Sequence, residues 1–257
     1  MYITIMATTP KIHRPTATTI LALAALAVIA TGCGKTVVRK DAALVADTVQ
    51  TAAAAPNVIR GTFTDSRDGK TYRTVRIGKL TWMVENLNFV TDSSVCYEND
   101  ESNCQKYGRL YNWNDAMTAC PAGWRVPSDE DWDSLTVAVG GQRVEYGYVV
   151  YDWKFAGKKL KSTTGWVDWE YDDGKLVSGN GTDDFGFSAL PGGYGSSGGN
   201  FYDAGYVGHW WSATEYDATY ARRRGMDYGS SSVFSSWNGV KADRFSLRCV
   251  EDVVGLR

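Results

Sequence analysis

Histidine is almost missing from this chain: His13 and His209 are the two among 257 residues. That excludes a metal centre built from several imidazoles. No G-x-S-x-G, H-E-x-x-H or phosphate-binding glycine loop is present. The common signatures of serine hydrolases, zinc proteases and nucleotide enzymes are therefore absent. No apolar run reaches the ~18 residues that read as a membrane helix. There is no basic excess either, with 27 Lys and Arg against 29 Asp and Glu. General nucleic-acid binding needs a basic face, so no nucleic-acid partner is expected. Proline is scarce at 6 while glycine reaches 27, which gives many turns without proline stiffening. What is abundant is amphipathic rings: 10 Trp and 15 Tyr against 8 Phe. Such rings pack a core or line a binding surface.

The N-terminal end differs from the rest. Residues 1–32 hold Lys11, His13 and Arg14 but no acid, and residues 16–30 (TATTILALAALAVIA) follow the basic ones. Order and length are those of a signal-peptide h-region. Ala30-Thr31-Gly32-Cys33 then resembles the bacterial lipoprotein cleavage box, departing from it at Ala30, where that family usually has Leu. The resemblance implies that residues 1–32 are a signal peptide and that Cys33 becomes a lipidated N-terminus. With Gly34 next rather than Asp, it implies anchoring to the outer membrane, with the membrane as a partner through the lipid. Residues 33–58, small and polar with an Ala run before Pro56, read as a flexible tether. Residues 59–257 are left as one domain.

Setting Cys33 aside, Cys96, Cys104, Cys120 and Cys249 form an even set. In an exported protein such a set reads as two disulfides. Three pairings are open. The favoured one closes a small loop, Cys96–Cys104, and a long clasp, Cys120–Cys249.

The stretch CPAGWRVPSDEDW, residues 120–132, organises the middle of the chain. Pro121-Ala122-Gly123 makes a turn, and Val126 before Pro127 is pushed extended. Ser128 and Asp131 have capping-box spacing, with acids on the first turn where the helix dipole favours them. Trp132 and Leu135 fall on one stripe, and Gly140-Gly141 ends the helix. A meander is expected upstream, with strands at 61–64, 71–77 and 80–84. Residues 86–107 read as loop and 113–117 as a short helix. Downstream, 185–190, 209–213, 219–228, 231–237 and 244–250 read as strands, and 194–205 as a flexible Gly/Ser loop. Residues 142–185 are the least legible, with a helical turn or two inside 153–162. Strands at both ends with helices between them give an α+β domain.

Five pieces then line up: TYRTVRIGKLTWMVENLN (71–88), YGRLYNW (107–113), the 120–132 stretch, FSALPGG (187–193) with WWSATE (210–215), and SLRCV (246–250). Together they resemble the Fibrobacter succinogenes major paralogous domain, a family of exported bacterial domains often found on lipoproteins. More distantly, GWRVPSDEDW is similar to the helix-start segment of formylglycine-generating enzymes, which have a modified C-type-lectin fold. The likeness implies a C-type-lectin-like domain. It would have paired terminal strands, two to three short helices, and a long loop region beside a small antiparallel sheet. Fold alone says little about activity.

The chemistry-bearing groups read mostly as structure. Asp129-Glu130, Asp172-Asp173 and Asp183-Asp184 read as solvated turns, and Arg222-Arg223-Arg224 as a solvated strand face. Trp113-Asn114-Asp115 spells a lectin calcium triplet but stands at a helix start. No catalytic residue, metal ligand or cofactor is assigned. Trp210 and Trp211 point to opposite faces of a strand, so at most one is core unless a loop covers the other. Trp211, Trp237, Asn238, Tyr194 and Tyr202 are the candidate ligand-binding set, an aromatic platform with a polar partner suited to a glycan. The expectation is a non-catalytic surface binding or adhesion module. The alternative is a structural or protein-interaction module of the envelope, and the third an enzyme.

Overall fold

The computed structural model describes residues 58–146, 151–170 and 172–253. The expected signal peptide, Cys33 and nearly all of the expected tether lie outside the described residues. Strands β1 (Ile59–Thr64), β2 (Thr71–Ile77) and β3 (Leu80–Met83) form the meander. A 3-10 turn, Tyr97–Asn99, precedes α1 (Glu101–Tyr107), β4 (Leu110–Tyr111) and α2 (Trp113–Ala119). Next come β5 (Trp124–Arg125), α3 (Asp129–Ala138), β6 (Gln142–Glu145), β7 (Tyr151–Lys154) and α4 (Ala156–Leu160). A small ribbon, β8 (Trp169–Glu170) and β9 (Leu176–Val177), leads to β10 (Gly192–Gly195) and β11 (Phe201–Ala204). The long strands are β12 (Val207–Glu215), β13 (Tyr220–Asp227) and β14 (Val233–Val240), and β15 (Phe245–Ser246) and β16 (Val250–Glu251) end the domain.

The domain is α+β. One sheet runs β1-β2-β3-β16-β5, so the last strand pairs with the N-terminal meander. The larger sheet runs β11-β10-β12-β13-β14-β7-β6, with β15 bridging β12 to β4. Ser128 accepts from the Asp131 amide and Asp131 returns the bond, so the capping box of α3 is complete. Both disulfides are present, Cys96–Cys104 and Cys120–Cys249, the second tying the end of α2 to the residue before β16.

Several segments differ from the sequence reading. The 86–107 loop contains α1, capped by Asp100, whose side chain accepts from the Ser102 amide. Residues 194–205 form a hairpin, β10 with β11, rather than a loop. Residues 185–190 form no strand. Asp183 accepts from the Ser188 amide at 2.7 Å, Ser188 sits at φ 52°, and only an isolated bridge from Ala189 to Lys161 remains. Residues 244–250 are two short strands, not one.

Two apolar clusters fill the domain, and they explain both tryptophans of β12. Trp210 packs with Trp132 and the rest of one cluster, and Trp211 with Tyr111, Phe245 and Leu247 in the other. Because each face of β12 is covered here, both indoles are fully buried.

Candidate functional site

Alternation along the large sheet sorts its residues onto two faces. On one face the partners Tyr202 (β11), Tyr194 (β10), His209 (β12), Gly225 (β13) and Phe234 (β14) form a row across five strands. The parallel pairing of Gly193 with Gly208 sets Tyr194 beside His209. The rings of Tyr202 and Tyr194 stack at 5.3 Å. Tyr194 meets His209 edge-on at 5.6 Å, and His209 meets Phe234 at 5.8 Å. Gly225 makes the last contact possible. A Cβ there would lie 2.2 Å from the Phe234 ring and 2.8 Å from His209 Nδ1.

Arg223 stands two residues along on the same face, as the Cα partner of Trp211 and of Ser236. Its Nη1 lies 2.6 Å from His209 Nδ1 and 3.0 Å from Nε2. Its guanidinium is over the Phe245 ring at 5.1 Å. Burial holds His209 well below the usual imidazole range, and the Arg223 charge adds to that, so the ring is neutral at pH 7. Burial also pulls Arg223 down to about 10, opposed by Tyr194 and Asp243. Tyr202 is 42% exposed and opens this row to solvent.

The other face of β13 is different. Arg224 is fully buried, with Nη2 3.2 Å from Asp129 Oδ1 and 2.9 Å from Asp133 Oδ1. Arg222 Nε lies 3.9 Å from Asp129 Oδ2. The expected solvated arginine face is thus corrected to a packed ion network against α3. Asp129 is no solvated turn: burial raises its carboxyl, with Arg224 and Arg222 opposing. Asp183 is likewise spent on Ser188.

Of the candidate ligand-binding residues, Tyr194 and Tyr202 come together and Trp211 does not join them as a contact surface. The Trp211 indole is buried and donates from Nε1 to the Tyr111 carbonyl at 2.7 Å. Trp237 and Asn238 lie within β14, not in a loop. Their backbone is the bulge opposite Arg222, two residues against one, between the pairs Arg223↔Ser236 and Ala221↔Gly239. His209, Arg223 and Phe234 were missed as site members. The signal for them was period 2: His209 with Trp211, Arg223 with Gly225, Phe234 with Ser236. Two open clefts flank α3, one of about 530 Å³ lined by Met117, Trp124, Arg125 and Ala213 among others, and one of about 450 Å³ lined by Leu80, Val137 and Ala138.

The pieces that carried the family resemblance meet elsewhere, around Arg248. This side chain is fully buried. Arg248 donates to Asn86 Oδ1 from Nη2 at 3.0 Å and from Nε at 3.2 Å, and to the Phe187 carbonyl from Nη1. Asn86 Oδ1 also accepts from Trp210 Nε1 at 2.8 Å, and Asn86 Nδ2 donates to the Tyr107 carbonyl at 2.7 Å. The Arg248 guanidinium lies 4.2 Å from the Phe187 ring centroid, and Phe187 and Trp210 both contact Trp132. Residues from 71–88, 107–113, 120–132, 187–193, 210–215 and 246–250 therefore converge on one knot. The sequence model of the Fibrobacter succinogenes major domain matches residues 75–251. The chain belongs to this family. No curated protein and no solved structure matches it. The pieces that carried the resemblance hold the fold here, while Tyr194, Tyr202, His209, Arg223 and Phe234 lie between those pieces, inside the same matched span.

Proposed function

We propose that this family domain is an exported, lipid-anchored, non-catalytic binding module of C-type-lectin-like architecture. Its ligand is a glycan taken on the Tyr202–Tyr194–His209–Phe234 face. The supporting observation is the row of rings itself, edged by the exposed Tyr202. Sugar rings pair an apolar C–H face with hydroxyls. Stacked tyrosines next to the Arg223 guanidinium offer the matching surface, with the buried His209 ring and the half-buried Phe234 ring backing it. Cys33 as a lipid anchor rests on its cleavage-box resemblance, and the two disulfides suit an oxidising compartment. A glycan array on the purified protein tests this reading, with Tyr202→Ala as the control. No bound glycan, or binding unchanged in Y202A, sinks it.

A protein-contact role is the second reading. It is favoured by the apolar cleft beside α3, where Val137 is 58% exposed. Val137→Glu, paired with capture from envelope extract, separates this reading from the first.

A further inference from the structure

The three consecutive arginines of β13 form a built-in comparison. Arg222 and Arg224 face α3 and reach Asp129, with Asp133 as a second partner for Arg224. Arg223 faces the other way and makes no ion pair with any described carboxylate. Its hydrogen-bonding partner is the uncharged His209 ring. Its Nε is buried without a partner among the described residues, as are Nε and Nη1 of Arg224, so the missing counter-ion is what sets Arg223 apart. Asp243 acts on it through space, but that carboxylate accepts from the Ser197 amide at 2.9 Å. A partly buried cation without a counter-ion is unfavourable, and the guanidinium fork is shaped for a carboxylate.

We propose that the saccharide bound on this face is acidic, and that Arg223 receives its carboxylate while Tyr202 and Tyr194 take the sugar ring. This rests on the glycan reading above and narrows it. A sulfate ester offers the same charge with a different shape, so the test must separate the two.

The experiment uses the full chain with three probes: an oligogalacturonate, its methyl ester, and a sulfated neutral oligosaccharide. Calorimetric titration is paired with NMR of the His209 imidazole. The acid should bind at least tenfold more tightly than its ester, a difference of about 1.4 kcal/mol. Arg223→Gln should erase that preference yet leave the ester bound, and Tyr202→Ala should weaken both. The His209 signals should move further with the acid than with the ester, because the carboxylate engages the Arg223 nitrogen that touches the ring. If R223Q fails to fold, Arg223→Lys, which keeps the charge and loses the fork, should show a reduced preference. Equal binding of acid and ester overturns this inference and leaves glycan binding standing. An Arg223-dependent preference for the sulfated probe alone overturns the carboxylate. No binding of either galacturonide overturns the inference, and a silent glycan array as well overturns the reading beneath it.

Discussion

Asn86→Ala should be among the most damaging single changes in the domain, although Asn86 is one uncharged side chain. Its Oδ1 accepts from Trp210 Nε1 and from two nitrogens of Arg248, and its amide donates to the Tyr107 carbonyl. All of this is buried, with Asn86 3% and Arg248 0% exposed. Burial already pulls Arg248 down to about 9, with no acid in hydrogen-bond contact. Truncation strips the cation of its main side-chain acceptor and leaves it with the carbonyls of Phe187 and Ser188. Hydrogen bonds to charged groups contribute about 1.5–3 kcal/mol, and orphaning one partner of a buried charge costs about 3–5 kcal/mol. Because two carbonyls remain, we expect about 4 kcal/mol, against a total stability of roughly 5–15 kcal/mol. At about 2–4 °C per kcal/mol for a domain of this size, the Tm should fall by about 8–16 °C.

Urea unfolding read by tryptophan fluorescence measures the loss. Asn86→Asp sharpens the test. A carboxylate keeps the acceptor and places a charge against Arg248, but faces the Tyr107 carbonyl with oxygen instead of N–H. N86D should lose about 1–2 kcal/mol at pH 7, at most half the loss of N86A. If N86A lies within about 1 kcal/mol of the parent, or N86D is the worse of the two, the knot is not what holds these segments.

The two disulfides should differ in weight. They span 8 and 129 residues, for which loop entropy gives about 2.5 and about 5 kcal/mol. C120A/C249A should therefore lower the Tm about twice as far as C96A/C104A in calorimetry, and equal shifts would contradict this. Burial works against ionising Asp131, but the Arg125 side chain and the Ser128 amide outweigh it and hold its carboxyl below 3.8. A depressed folded pKa gives stability that is full above the unfolded pKa and fades as pH drops through the folded one. Asp131→Asn should flatten the fall in stability below about pH 4, measured by denaturant midpoint. Gly225→Ala should displace His209 and Phe234, so glycan affinity on the array should drop tenfold or more while far-ultraviolet dichroism stays unchanged.

What could be read in advance followed local physics. The capping box of α3 is written in Ser128 and Asp131, and the meander in alternation. The misses came where distant partners set the backbone. FGFSAL looks like a strand, yet Asp183 curls it so that the Phe187 and Ser188 carbonyls face Arg248, some 60 residues on. The Gly-rich 194–205 segment looks flexible, yet Gly193 at φ 64° lets β11 approach where a Cβ would sit 2.4 Å from the Tyr202 carbonyl. Alternation correctly set Trp210 and Trp211 on opposite faces. It could not show that both faces are covered at that point and that one is uncovered near Tyr202.

That last distinction decides how far the family resemblance reaches. Its pieces are joined by hydrogen bonds whose donors are buried: Trp210 Nε1 and Arg248 to Asn86, Trp211 Nε1 to Tyr111, Asn86 to Tyr107. Groups so engaged have no capacity left for a ligand. Recognition has to use side chains with unspent donors or exposed rings, and beside the row of rings Arg223 supplies the first and Tyr202 the second. Both lie within the matched span 75–251 but outside the pieces on which the resemblance was read. Substitutions in the knot should therefore lower stability and binding together, because the sheet that carries the ring row hangs from it. Substitutions at Tyr202 or Arg223 should change binding and leave the unfolding free energy from urea within about 0.5 kcal/mol of the parent. A Tyr202→Ala variant that lost stability as Asn86→Ala does would place the tyrosine in the scaffold and remove the site.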